Sequence, residues 1–173
     1  MNRFERRVHA VDPGALYARA LDVLQLNVGR RCNMRCAHCH QHGAPEVPEH
    51  MPESVVAASL EWARPLRPGL GDLTGGAPEL HPRIRSIADA LLDQGRAVQV
   101  RTNLTVLLEP GCSDLVERWA GQQVALLASL PSCDREQTDQ QRGSGAFDAS
   151  IEALRRLNAA GYGAPGGPRL DLA

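Results

Sequence analysis

The stretch LQLNVGRRCNMRCAHCHQHGAPE, Leu24 to Glu46, decides how the rest of the chain is read. Its first five residues alternate apolar and polar side chains, the pattern of a β-strand with one wet face. Cys32, Cys36 and Cys39 follow with the spacing C-x3-C-x2-C. A loop that turns back after a strand can aim three such thiolates at one centre. A structural zinc site closes its tetrahedron with four protein ligands. A four-iron cluster held by three cysteines instead leaves one iron free for another ligand. His38, His40 and His42 keep zinc open, since any one of them could be a fourth ligand.

The 173 residues suggest one domain, long enough to bury a real core. A net charge of -1 argues for neither a nucleic-acid partner nor an anionic membrane surface. No apolar run has the length of a transmembrane helix. The start, MNRFERRVHAVD, is charged and lacks an apolar signal core, so a cytoplasmic protein is expected. Five cysteines are an odd count, and three crowd one loop. In a reducing compartment that favours metal binding or catalysis over a disulfide framework.

Outward from the cysteine loop, five short strand candidates alternate with helical patterns. The strands are Leu24 to Val28, a segment around Leu73, one from Ala97, one from Gln123, and RLDLA at the end. Ile84, Ile87, Ala88, Leu91 and Leu92 make an amphipathic helical stripe. So do Phe147, Ile151, Leu154 and Leu157, with Gly161 placed as the terminating glycine. Pro52 and Glu53 open a helix with Val56, Leu60 and Ala63 on one face; Leu115, Val116 and Trp119 mark a shorter one. A weaker stripe, Leu16, Ala20 and Leu21, precedes the first strand, and Arg135 to Ser144 reads as a polar, mobile loop. Regular alternation of strand and helix implies parallel βαβ units, an α/β fold.

The strands carry a second pattern. Gln25 and Asn27 share a face, as do Asp72 and Thr74, and Gln99, Arg101 and Asn103; Asp171 stands between two leucines. The opposite faces, with Leu24, Leu26, Val28, Leu73, Val98 and Val100, would take the helices. The polar faces would then line a cavity. The fourth strand, with Ala125, Leu127 and Ser129 on one face, fits this less well.

The cysteine spacing resembles the signature of the radical S-adenosylmethionine (SAM) superfamily, in which the signature loop follows the first strand of a partial (β/α) barrel. LTGGAPEL, Leu73 to Leu80, resembles the Gly-Gly-Glu type motif at the end of that fold's second strand, with Ala77 where the acid usually stands and Glu79 two residues on. LQLNVGRRCNMRCAHCH, LTGGAPEL, TNLTVLLEPG, ASLP, QRGSGAFDASIEALRRLNAAGYG and LDL together resemble the arsenosugar biosynthesis radical SAM proteins. That resemblance implies a [4Fe-4S] cluster on Cys32, Cys36 and Cys39, with S-adenosyl-L-methionine as the second cofactor. Gly75, Gly76 and Ala77 map onto the site for its amino group. Asn103 is placed as a further SAM contact, with Arg101 and Ser129 as candidates for the carboxylate and ribose. His38 would shield the cluster or be a plain loop histidine. The implied substrate is a small molecule, trivalent dimethylated arsenic, and the implied partner an electron donor such as flavodoxin or ferredoxin.

The expected organisation is an N-terminal helical extension over 1–23 and a barrel over 24–173 that stops after its fifth strand. Cys112 is expected at the start of a helix, where the dipole favours a thiolate, and Cys133 follows the fourth strand. Each is a candidate for binding a thiophilic arsenic or a small structural residue. A radical SAM enzyme with another substrate, such as a peptide, and a zinc-binding structural module are the alternative readings.

Overall fold

The computed structural model describes residues 1–18 and 20–173. Five parallel strands form one sheet in sequential order: β1 (Val23–Asn27), β2 (Leu70–Thr74), β3 (Ala97–Thr102), β4 (Ala125–Ala128) and β5 (Leu170–Leu172). Helices α2 (Glu53–Leu66), α3 (Ile84–Asp93), α4 (Leu115–Gly121), α5 (Arg135–Arg142) and α6 (Ala146–Ala159) fall in the crossovers. Sequential parallel pairing with intervening helices, which the alternation predicts, is the wall of the partial (β/α) barrel that the family resemblance implies.

One face of the sheet builds the core. Leu26, Leu73, Val98, Val100, Leu126 and Ala128 are buried together with Val56 and Ala63 of α2, Ile84, Ile87 and Leu91 of α3, and Trp119 of α4. Each large apolar side chain taken from water contributes about 1.5–3 kcal/mol, so this face fixes the register of the sheet. In register, Gln25 stands beside Asp72 and Asp72 beside Gln99; one layer up, Asn27 stands beside Thr74. The polar residues therefore sit in layers on the other face.

Three expectations need correcting. The stripe over Leu16, Ala20 and Leu21 does not form a helix among the described residues. Asp12 ends an earlier helix, α1 (Arg3–Val11), and its carboxylate accepts from Gly14 N–H at 2.8 Å, so the chain turns at Pro13 and Gly14 instead. Arg135 to Arg142 is a helix, not a loop. Asp134 caps its first turn through Gln137 N–H at 2.9 Å, and Thr138 and Arg142, four apart, are both buried. Asp139 then accepts from Gly145 N–H and Phe147 N–H, capping α6 in turn. The face of α6 is also rotated by one residue: Ala146, Ser150, Ala153 and Leu157 are buried, while the Phe147 ring lies 5.2 Å beneath the Arg135 guanidinium. Gly161, at φ +98°, follows the end of α6 as expected.

Candidate cofactor site at the strand ends

The segment from Val28 to Met51 forms a loop closed at its neck. Met51 N–H donates to Val28 carbonyl at 2.8 Å and Arg30 N–H to Glu49 carbonyl at 2.9 Å, and Gly29 bridges His50. Within it Cys32 N–H donates to Ala44 carbonyl, and the Cys36–Cys39 segment turns through Cys39 N–H to Cys36 carbonyl. Ala37 N–H reaches across to Gln141 carbonyl of α5 at 2.9 Å.

Gly75 and Gly76 join β2 to this loop. Gly76 N–H donates to Gly29 carbonyl and Ala77 N–H to Arg31 carbonyl, at 2.9 and 2.8 Å. A Cβ on Gly75 would lie 2.5 Å from Gly29 O, and one on Gly76 2.4 Å from Arg30 O. The pair of glycines is thus required by the approach of the cysteine loop itself.

A cavity of about 360 Å³ opens above the strand ends. Cys32, Cys36 and Cys39 line it, with Asn27, Thr74, Gly75, Gly76, Arg101, Asn103 and Ser129. The polar strand faces share one cavity, as the alternation predicts. His38 and His40 also face it. Ala77 is buried and lines a smaller cavity of about 250 Å³ beside His50 and His81. Neither Cys112 nor Cys133 is on the wall of the larger cavity.

Two sulfurs accept N–H donors: Cys39 from Gly43 N–H and Cys32 from the Asn103 amide, both at 3.4 Å. The Asn103 orientation is fixed by its neighbours. Its Oδ1 accepts from Val106 N–H at 3.0 Å and the Thr105 hydroxyl at 3.2 Å, and its Nδ2 also donates to Asn33 Oδ1 at 2.8 Å. Leu104, at φ 70° and ψ -54°, is the strained centre of a γ-turn closed by Thr105 N–H to Asn103 carbonyl at 2.9 Å.

The floor of the cavity is a closed polar layer. Asp72 is 2% exposed and accepts from Gln25 Nε2 at 2.7 Å, Gln99 Nε2 at 3.1 Å and Arg101 Nη2 at 2.7 Å. Burial works to raise its pKa, but these bonds outweigh burial and hold the carboxyl below the ordinary carboxylate range. Arg101 is thereby anchored by its Nε and Nη2 edge, its side chain 43% exposed toward the cavity.

Cys112 corrects its expectation. Asp114, not Cys112, stands at the start of α4; Cys112 is buried and its thiol faces the Glu79 carbonyl at 3.7 Å. Burial first, then the Glu79 charge, pushes its pKa up to about 11, the reverse of an activated thiol. Glu79 itself is fully enclosed, with neither carboxylate oxygen in a well-formed hydrogen bond. Burial pushes it up to about 7, with the Thr102 side chain opposing the shift.

The donor set, three cysteine thiols on one wall with N–H groups directed at two of them, fits an iron–sulfur cluster. Among the described residues no three His, Cys, Asp or Glu side chains are drawn together to metal-ligand distances, so the fit rests on donor chemistry and shared wall, not on a closed cage. Asn33, Gln41 and Arg142 also belong to the site and were not singled out from sequence for it. Asn27 Nδ2 to Gln41 Oε1 at 2.7 Å ties strand to loop.

The profile of the Radical SAM superfamily matches residues 26–167. Among curated proteins the chain is 28% identical over 136 residues to the antilisterial bacteriocin subtilosin biosynthesis protein AlbA of Bacillus subtilis, covering 74% of this chain and 28% of that one. It is 32% identical over 146 residues to the GTP 3',8-cyclase of Chlorobaculum tepidum, covering 82% and 42%. Among solved structures, Streptococcus suis SuiB bound to S-adenosylmethionine superposes with a TM-score of 0.70 at 16% identity, over 96% of this chain and 37% of that one. The chain thus spans less than half the length of these relatives. No helix among the described residues is long and apolar enough to cross a membrane.

Proposed function

This chain belongs to the radical SAM superfamily, and on that premise we propose that it binds a [4Fe-4S] cluster through Cys32, Cys36 and Cys39 and cleaves S-adenosylmethionine reductively. The observation that carries the reading is the convergence of the three thiols and the polar strand ends on one cavity. Held by Cys32, Cys36 and Cys39, the cluster would supply the one electron needed for reductive cleavage of the SAM C5'–S bond.

The chain's own residues hold and orient. Gly43 N–H and the Asn103 amide hydrogen-bond to ligand sulfurs. Gly75 and Gly76 keep the loop against β2, and their place on the cavity wall suits the SAM amino group. Arg101, anchored on Asp72, offers its remaining N–H groups to a carboxylate, and Ser129 an alcohol to the ribose. The Gln25–Asp72–Gln99 layer holds the Asp72 carboxylate in place beneath the cavity, and with it the Arg101 side chain.

For the substrate, the motifs LTGGAPEL and TNLTVLLEPG support trivalent dimethylated arsenic, joined to the adenosyl carbon, with a flavodoxin or ferredoxin as electron donor. A peptide substrate is the second reading, favoured by the relation to a bacteriocin biosynthesis protein and by the likeness to SuiB bound to precursor peptide SuiA, TM-score 0.70. Anaerobic reconstitution, then dithionite and SAM with dimethylarsinous acid, tests the proposal. Brown protein that forms 5'-deoxyadenosine supports SAM cleavage, and an arsenic nucleoside supports the substrate. A colourless zinc protein that leaves SAM intact refutes both.

A further inference from the structure

Arg142 ends α5 and is 7% exposed, yet it has no acidic partner among the described residues. The ion pairs found there do not include it. Its Nη1 donates to the Asn103 carbonyl at 3.3 Å, while its Nε is buried without a hydrogen-bond partner. It stands on the wall of the cysteine cavity, which Cys32, Cys36 and Cys39 also line. A buried cation left unpaired costs several kcal/mol, so the fold has to supply an anion beside it.

We propose that Arg142 is the counter-charge of the iron–sulfur cluster, holding it in place and favouring its reduced state. The inference rests on the cluster assignment to Cys32, Cys36 and Cys39. A cluster bound by three thiolates is a net anion, and the added electron deepens that charge. A guanidinium in a poorly solvated wall therefore stabilises the reduced form more than the oxidised one. Arginine suits the position because it stays charged when buried and its planar fork is fixed on one side by Asn103. The helix does the placing: Gln141 carbonyl holds the Ala37 amide, so the residue before Arg142 is tied to the loop between Cys36 and Cys39.

The test compares the reconstituted full chain with Arg142→Met and Arg142→Lys, reading iron and sulfide content and an EPR-monitored redox titration of the cluster. Arg142→Met should either lose most of its iron or be reduced at least tenfold less favourably, a midpoint about 59 mV lower for a one-electron couple. Arg142→Lys should recover most of either effect. A merely structural role would lower the melting temperature and leave the midpoint of the remaining cluster unmoved. Full iron content and a wild-type midpoint in Arg142→Met overturn the proposal while leaving the cluster assignment intact. Wild-type protein that binds no cluster overturns both. Should Arg142→Met lose its helical circular dichroism, Arg142→Gln is judged by the same two readouts.

Discussion

Glu79→Gln should remove a large part of the pH dependence of folding. The carboxyl is 2% exposed, and its pKa rises from 4.5 to about 7, chiefly through burial. That rise disfavours the ionised form in the folded chain by about 3 kcal/mol, a sizeable share of the ~5–15 kcal/mol that holds a domain together. Below pH 4.5 both folded and unfolded chains keep the proton, and the contribution is fully present. As pH rises the unfolded chain releases its proton first, so stability declines until about pH 7, where the folded carboxyl ionises too and the loss levels off. Gln has nearly the same shape and no proton to release. Urea denaturation of the metal-free chain under reductant, run for both proteins across this range, isolates the effect, because other titrating groups cancel in the difference. The stability of Glu79→Gln relative to wild type should grow by about 3 kcal/mol from pH 4.5 to pH 7. A difference that stays constant within about 1 kcal/mol refutes the argument, because the carboxyl would then not be buried unpaired.

Gly76→Ala places a methyl 2.4 Å from Arg30 O and 2.5 Å from Arg31 O, both backbone, so it should cost about 1–3 kcal/mol and lower iron retention; thermal melting and iron analysis check this, and normal iron content counts against it. Asp72→Asn removes the charge that anchors Arg101 and should weaken SAM binding by up to about tenfold in calorimetry, with a near-normal fold; unchanged affinity sinks the anchoring role. Cys36→Ala should abolish the brown chromophore, whereas Cys112→Ala, away from the cavity wall, should keep it; equal loss in both refutes the ligand assignment.

Much of this was legible because two periodicities coincide with chemistry. Period-two alternation on β1, β2 and β3 places Asn27, Thr74 and Arg101 on one wall, and the cysteine spacing places the loop above them. Helix α5 was not legible, because its sequence, REQTDQQR, has no apolar stripe; it is held by the Asp134 cap and by burial of Thr138 and Arg142, which depend on partners distant in sequence. For the same reason Arg142 went unnoticed. Cys112 misled because its place at an expected helix start pointed to a thiolate, while tertiary packing beside Glu79 sets its protonation. The Gly75–Gly76 pair was read as approach to a ligand; its steric requirement in the fold is the approach of Gly29, Arg30 and Arg31. Asp72 was visible as a polar residue in a strand, but its three partners could be known only from the register.

The closed neck of the cysteine loop bears on repair. Met51 is joined to Val28, and Arg30 to Glu49, by backbone bonds that involve none of the three proposed cluster ligands, so the ends of the loop meet before iron arrives. The entropy of closing a loop is spent on the sheet and its neck, and assembly of a cluster has only the segment between Cys32 and Gly43 to arrange. Oxidative loss of iron should therefore loosen that segment and leave the barrel wall folded, making damage local and reversible by refilling. Amide exchange would show it: the Arg30 and Met51 N–H groups should remain protected in metal-free protein while those of the Cys36–Cys39 turn exchange rapidly, and uniform loss of protection would mean that the metal, not the neck, keeps the loop closed.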